Sequence, residues 1–179
     1  MQKISLIIVA MVVTLTGGVA TAQEQSPLIL DDAQISHIRT RCVDVQSFLS
    51  RLRANDGLRR VNLGQQYETI STRLMAPMNS RIALNKLDGV ELTQTAVDFN
   101  TKLDVFRESY RDYEKALTST IDMKCKDQPV TFYDSVMTAR TKRVAVKQSM
   151  AELSALLQQY NSQFDQFTQK ALQKSGEAQ

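Results

Sequence analysis

Three stretches of the chain place apolar residues at alternating spacings of three and four, the rhythm of a helix that buries one face. In the first, Ile35, Ile38, Cys42, Val45, Leu49 and Leu52 form an a/d heptad seam, with Asp31 and Asp32 ahead of it as N-cap chemistry. Asn55-Asp56-Gly57 is turn-like and could end this helix. Yet Leu63 and Ile70 resume in the same heptad phase, with Tyr67 and Leu74 broadening the stripe, so the pattern favours one long, locally weak helix. Pro77 removes a backbone donor and should kink it before an end near Leu87, where Asp88-Gly89 supplies a reversal.

The second seam is Leu92, Ala96, Phe99, Leu103, Phe106, Tyr110, Tyr113 and Leu117. A break follows from Cys125 to Pro129. The third seam is the longest: Phe132, Val136, Ala139, Arg143, Val146, Met150, Leu153, Leu157, Tyr160, Phe164, Phe167 and Ala171, with Arg143 its one charged member. Arg143 must therefore reach solvent or a carboxylate. Short reversals between consecutive helices imply antiparallel neighbours. The expected fold is all-α: an elongated antiparallel three-helix bundle or coiled coil with a long kinked first helix, its helices at about 32–87, 91–121 and 130–173. These lie in a single helical bundle domain, residues 32–174, between a linker at 23–31 and a frayed tail at 175–179.

The first 22 residues read as a secretory signal. Lys3 gives a positive start, Ile4 to Leu15 is apolar apart from Ser5 and Thr14, and Ala20-Thr21-Ala22 offers small residues for cleavage after Ala22. An uncleaved anchor is the competing reading, but the apolar run is shorter than the roughly 20 residues that a span needs. The expected location is therefore periplasmic, cell-surface or extracellular. Export bears on Cys42 and Cys125, because outside a reducing cytosol an isolated pair most simply forms a disulfide. Two free buried thiols or an intermolecular bridge are the alternatives. Geometry sets a condition on the pairing. Cys42 lies 47 residues before Gly89 and Cys125 lies 36 after it, a mismatch of about 16 Å in regular helix. Bridged Cα atoms are only about 4.4 to 6.8 Å apart. An extended stretch before Cys125, a shortened arm at Asn55 to Gly57 or the kink at Pro77 could absorb it. The first is favoured, since Asp122-Met123-Lys124 lies outside the seam.

Cys42 at the start of a long helix, the Asp88-Gly89-Val90 reversal, Phe106 and Tyr110 on the second seam, and Cys125 and Phe132 ahead of Ala139-Arg140 form a sparse pattern. It resembles an uncharacterised family of small exported α-helical coiled-coil-bundle proteins from bacteria with reduced genomes, over about Cys42 to Phe167. The resemblance implies the helical fold and the cysteine pairing, and carries over no catalytic or binding residue.

Candidate chemistry is scarce. His37 is the one histidine and lies beside the first seam near Ile38, where a surface position is the ordinary reading. No Gly-rich phosphate loop, CxxC pair, zinc-helix motif or calcium loop is present. Asp104 with Glu108, or Glu108 with Asp112, could in principle act as acid and base, but pairing with Arg107, Arg111 and Lys115 explains them more simply. Phe99, Phe106, Tyr110, Tyr113, Tyr160, Phe164 and Phe167 could line a ligand groove, although seam spacing favours core packing. No catalytic residue, cofactor or metal site is expected.

Charge placement is the remaining signal. Without Lys3 the chain has 21 basic and 19 acidic side chains, a balance that argues against a nucleic-acid binder. Residues 31–60 hold six Arg against four Asp, and residues 122–150 hold six Lys or Arg against three Asp. Antiparallel folding would bring these segments to one basic end, with Arg39, Arg41, Arg51, Arg53, Arg140, Lys142 and Lys147 as its contact surface. The expectation is a non-enzymatic structural or interaction module of the cell envelope, a coiled-coil spacer or docking surface. Its partner would be a protein or an anionic envelope component; peripheral membrane contact and oligomerisation are compatible with that reading. The alternative is a holdase-type periplasmic chaperone that binds unfolded clients.

Overall fold

The computed structural model describes residues 30–176, with side chains to 173. The signal segment, most of the linker at 23–31 and the last residues of the tail lie outside them. From Asp32 the described chain is helical apart from short connections at 85–89 and 122–128, with no strand among the described residues. Helix α1 is Asp32–Thr69, a π-helical segment covers Ile70–Met75, α2 is Ala76–Leu84, α3 is Val90–Ile121 and α4 is Pro129–Gly176. Asp31 caps α1: its carboxylate accepts from the Gln34 N–H at 2.7 Å, and the Gln34 side chain accepts from the Asp31 N–H at 3.0 Å. Pro129 opens α4, where its missing N–H leaves no helical bond unmade.

Helix α1 passes through Asn55-Asp56-Gly57 without interruption. The reason is tertiary: the Asp56 carboxylate, which in a turn would bond its own backbone, is engaged by Arg143 of α4 and Tyr113 of α3. The first arm changes character later than this tripeptide. Directly before Pro77, the Ala76 N–H donates to Ser71 O, five residues back. A proline ring collides with the carbonyl four residues before it in regular α-helix. A π turn moves that carbonyl, so Pro77 is accommodated in the first turn of α2.

The π turn shifts the seam by one position. Continued heptad spacing would bury Ile70 and Leu74. Instead Ser71 and Met75 are buried, Met75 at 1% exposure, and Leu74 is 62% exposed. The expectation that Leu74 broadens the stripe is thus corrected by the residue inserted at this turn.

The end of the first arm also differs from expectation. Helix α2 stops at Leu84, short of Leu87, and the reversal starts with Lys86 at φ 50°, the left-handed position. Leu87 N–H donates to Ile82 O at 3.0 Å and Lys86 N–H to Ala83 O at 3.2 Å, the paired bonds of a Schellman ending. Gly89 follows against Ile82, where a Cβ would come within 2.7 Å of that side chain.

The early turn removes most of the length mismatch between the cysteines. Ser71 bonds Asn100, and Cys42 is bridged to Cys125, so the stretch between these contacts is 29 residues on the first arm and 25 on the second. Residues 122–128 are outside any helix, and chain extended at about 3.3 Å per residue rather than 1.5 Å covers such a difference. Cys42 and Cys125 have Cα atoms 5.8 Å apart and are joined as a disulfide, packed with Phe132. Gln46 braces the same end, its amide donating to Ile121 O at 2.8 Å, a carbonyl in the last turn of α3, and to Met123 O at 2.7 Å in the connection that follows.

All eight seam residues of α3 are buried, from Leu92 to Leu117. Helix α4 runs beside α3, with Lys142 on Asp112, Lys102 on Glu152, and Thr95 on Gln163. The α4 seam divides in two. Phe132, Ala139, Val146, Leu153 and Tyr160, seven apart, are buried; Val136, Arg143, Met150 and Leu157 between them are half-buried. Phe164 is 38% exposed, so the last turns of the seam are less covered. Arg143 and Met150 of the half-buried series border the space between α4 and α1.

Candidate functional site

Between α1 and α4, over a floor supplied by α3, lies an open groove with a cavity volume of about 610 Å³. One wall carries Asp56, Arg59, Arg60, Leu63 and Tyr67 of α1. The other carries Arg143, Val146, Lys147, Met150, Ala151 and Ser154 of α4, and the floor is Phe106, Tyr110 and Tyr113. Each wall spans twelve residues, eleven rises or about 16 Å of helix.

One end of the groove is closed by a polar knot. Arg143 Nε donates to Asp56 Oδ2 at 2.7 Å and Arg143 Nη2 to Asp56 Oδ1 at 3.0 Å, a two-pronged pairing, and Tyr113 OH donates to Asp56 Oδ2 at 2.8 Å. Burial alone would raise the Asp56 carboxyl, but the hydrogen bonds from Arg143 and Tyr113 outweigh it and hold its pKa below the ordinary value. Burial and the Asp56 carboxylate push the Tyr113 phenol far up, so it stays a donor. The seam's one charged residue therefore finds its carboxylate across the bundle, in the tripeptide that looked like a turn.

Arg59, Arg60 and Lys147 stand about one helical turn beyond this knot. Arg60 lies over the Tyr110 ring, 4.9 Å from its centroid, an orientation favoured by the ring's negative face. Arg59 and Lys147 are exposed. The groove thus carries four cations and one carboxylate, and that carboxylate is committed to Arg143. Glu114 lies close enough to push Tyr110 upward, after the larger effect of burial, but does not line the groove. Beyond the cations the lining turns apolar through Leu63, Tyr67, Phe106 and Met150, with Tyr67 edge-on to Phe99 and Phe106 beneath.

The basic positions read from the sequence are dispersed. Arg39 Nε donates to Lys126 O at 3.1 Å, and Arg53 Nη1 to Thr118 Oγ1 at 3.2 Å, so both tie α1 to the end of α3 and the loop after it. Arg41 pairs with Asp44 and Lys142 with Asp112. Arg51 and Arg140 are exposed, and of the seven only Lys147 lines the groove. Arg59 and Arg60 belong to the basic segment 31–60 but stand outside this set of seven. The available signal was a doublet following Asp56 on the same flank as Leu63 and Tyr67. Phe106, Tyr110 and Tyr113 are buried and at the same time floor the groove, because α1 and α4 do not close over them.

Of the carboxylates with acid–base spacing, Asp104 and Asp112 are engaged in ion pairs. Asp104 accepts from Arg107 at 2.7 Å, Arg107 also bonds Glu68, and Asp112 is held by Lys142 at 2.8 Å, which lowers its pKa. His37 is exposed. Among the described residues, no group of His, Cys, Asp and Glu is arranged to hold a metal ion, and no helix is long and apolar enough to cross a membrane.

The chain matches no protein family, no curated protein and no solved structure with which it was compared.

Proposed function

We propose that this chain is a non-enzymatic interaction module, exported with its signal peptide cleaved, that docks an anionic component of the cell envelope in the groove between α1 and α4. In this reading the helices form an elongated antiparallel three-helix bundle whose first arm bends at the π segment, and the bundle is a rigid holder for the groove. The observation that carries the proposal is the excess of cations, Arg59, Arg60 and Lys147 beside the paired Arg143, over an aromatic floor. Exposed guanidinium and ammonium groups attract anions through water, and a low-dielectric floor strengthens that attraction at contact. The disulfide is consistent with an oxidising location.

The test is co-sedimentation of residues 23–179 with cell-envelope fractions across a salt series. Association should weaken steeply between low and physiological salt, and fall further in the Arg59→Gln, Arg60→Gln, Lys147→Gln triple variant. Association that ignores both salt and these substitutions would sink the proposal.

A holdase-type chaperone is the alternative reading. It is supported by Val130, Met137 and Val144, exposed at seven-residue intervals on one face of α4. Suppression of client aggregation that survives the triple variant and is lost on Met137→Glu would favour it.

A further inference from the structure

We infer that the groove binds a single-chain lipid phosphate, its head between Arg59, Arg60 and Lys147 and its chain along Leu63, Tyr67 and Met150. This rests on the docking reading above and narrows its ligand.

The argument is the polarity of the groove along its own axis. The cations are confined to the end next to the Asp56–Arg143 pair, on the first turn beyond it in both walls. Leu63 and Tyr67 continue one wall and Met150 the other, so the lining changes from charged to apolar within about two helical turns. A ligand complementary to both ends is an amphiphile with its charge at one terminus. An acidic protein segment fits less well: a stable protein interface covers about 800 Å² on each partner, more than a groove about 16 Å long presents. Its volume of about 610 Å³ instead falls among small-ligand sites, which run from roughly 300 to 1,000 Å³.

Head chemistry follows from the cation set. Asp56 already neutralises Arg143, which leaves three positive groups facing the groove. Two are guanidinium forks, which pair oxygens two at a time, and the third is a point charge that suits a phosphate equally. A carboxylate would satisfy one of the three; a phosphate has the oxygens and charge to engage all of them. Arg60, held over the Tyr110 face, keeps its other edge available and is pre-set in direction, so less side-chain freedom is lost on binding.

The test is calorimetric titration of residues 23–179, disulfide intact, with dodecyl phosphate below its micelle concentration. Dodecyl maltoside and inorganic phosphate serve as single-end probes, and an acidic helical peptide as a macromolecular one. One-to-one binding is expected for dodecyl phosphate, at least tenfold tighter than for either single-end probe. Arg59→Gln with Lys147→Gln should weaken it at least tenfold, as should Leu63→Gln, with unchanged helical circular dichroism showing that the variants fold. Equal binding of dodecyl maltoside, tighter binding of the peptide, absent binding of dodecyl phosphate, or binding indifferent to the variants each overturns the inference. If dodecyl phosphate fails while envelope association still depends on Arg59 and Lys147, the ligand class is wrong and the docking reading stands; if that dependence is absent too, both fall.

Discussion

Asp56, on α1, joins three helices through one carboxylate, which accepts from Arg143 of α4 and Tyr113 of α3. Its partner Arg143 is a third exposed and Asp56 itself 16% exposed, so the pair lies between the surface and fully buried cases. Replacing Asp56 with Asn should cost about 2 kcal/mol at neutral pH, between the roughly 0–1 kcal/mol of exposed pairs and 3–5 kcal/mol for breaking buried ones. The Asp56 pKa is lowered on folding, so this contribution is fully present above the unfolded value near 3.8 and is lost as pH falls through the lower folded value. Urea unfolding of the parent and Asp56→Asn should therefore give a gap at pH 7 that narrows below about pH 4; a gap independent of pH would contradict the ion-pair account. Two backbone positions have opposite remedies. Gly57 sits inside α1, and an added Cβ would meet Tyr110 OH at 3.7 Å, an ordinary contact, so Gly57→Ala should stabilise by about 1 kcal/mol. Lys86 holds φ 50°, so Lys86→Gly should also stabilise, by about 1 kcal/mol, through relief of the left-handed strain. Thermal melting of the two single variants checks both signs. In sequence, Asn55-Asp56-Gly57 and Asp88-Gly89 look like equivalent punctuation. They differ because Asp56 has a distant cation to satisfy, which local spacing does not reveal, whereas Asp88-Gly89 stands between two completed helices.

At the scale of elements, the heptad rhythm was enough to place α3 and α4 to within a few residues and to identify every buried seam position of α3. It failed at one turn of the first arm. A 3–4 rhythm assumes regular α-helix, and the π segment Ile70–Met75 adds a residue that the apolar pattern conceals, since Ile70 and Leu74 fit the stripe and the apolar Met75 stands directly beside it. The distinguishing prediction is a pair of truncations. Met75→Ala should cost about 2–5 kcal/mol, as for a buried side chain deleted from a packed core, and Leu74→Ala within about 0.5 kcal/mol, as for an exposed position. Denaturant midpoints at constant slope measure both, and reversed magnitudes would restore the uninterrupted heptad. The groove was hidden for a related reason. A seam position tells which side of a helix is apolar, but not whether two neighbours close over it. Val136, Arg143, Met150 and Leu157 keep the rhythm of Phe132, Ala139 and Val146, yet only the latter series is buried throughout. At Arg143 and Met150 the half-buried positions face the open space beside α1, which the rhythm by itself does not reveal.

Across the whole molecule, constraint is concentrated at one end. The disulfide, the Gln46 clamp on the end of α3 and the Arg39 contact to Lys126 all lie where α1 meets the connection between α3 and α4. The bridge closes a sequence separation of 83 residues, for which loop-closure entropy gives a stabilisation of about 4 to 5 kcal/mol. For a domain of this size each kcal/mol moves the melting temperature by about 2–4 °C, so replacing Cys42 and Cys125 together by Ser should lower it by roughly 10–15 °C. Most of that loss would come from the unfolded chain gaining freedom, and the secondary contacts by Gln46 and Arg39 would keep the native end assembled. The groove lies one or more turns farther along α1 and is held by its own Asp56–Arg143–Tyr113 knot. Dodecyl phosphate affinity at 20 °C should accordingly be unchanged within about twofold in the double-Ser variant, a difference below about 0.4 kcal/mol, while the melting temperature falls. A parallel loss of affinity and stability would mean that the bridge sets the spacing of α1 and α4 at the groove, and that the knot alone does not.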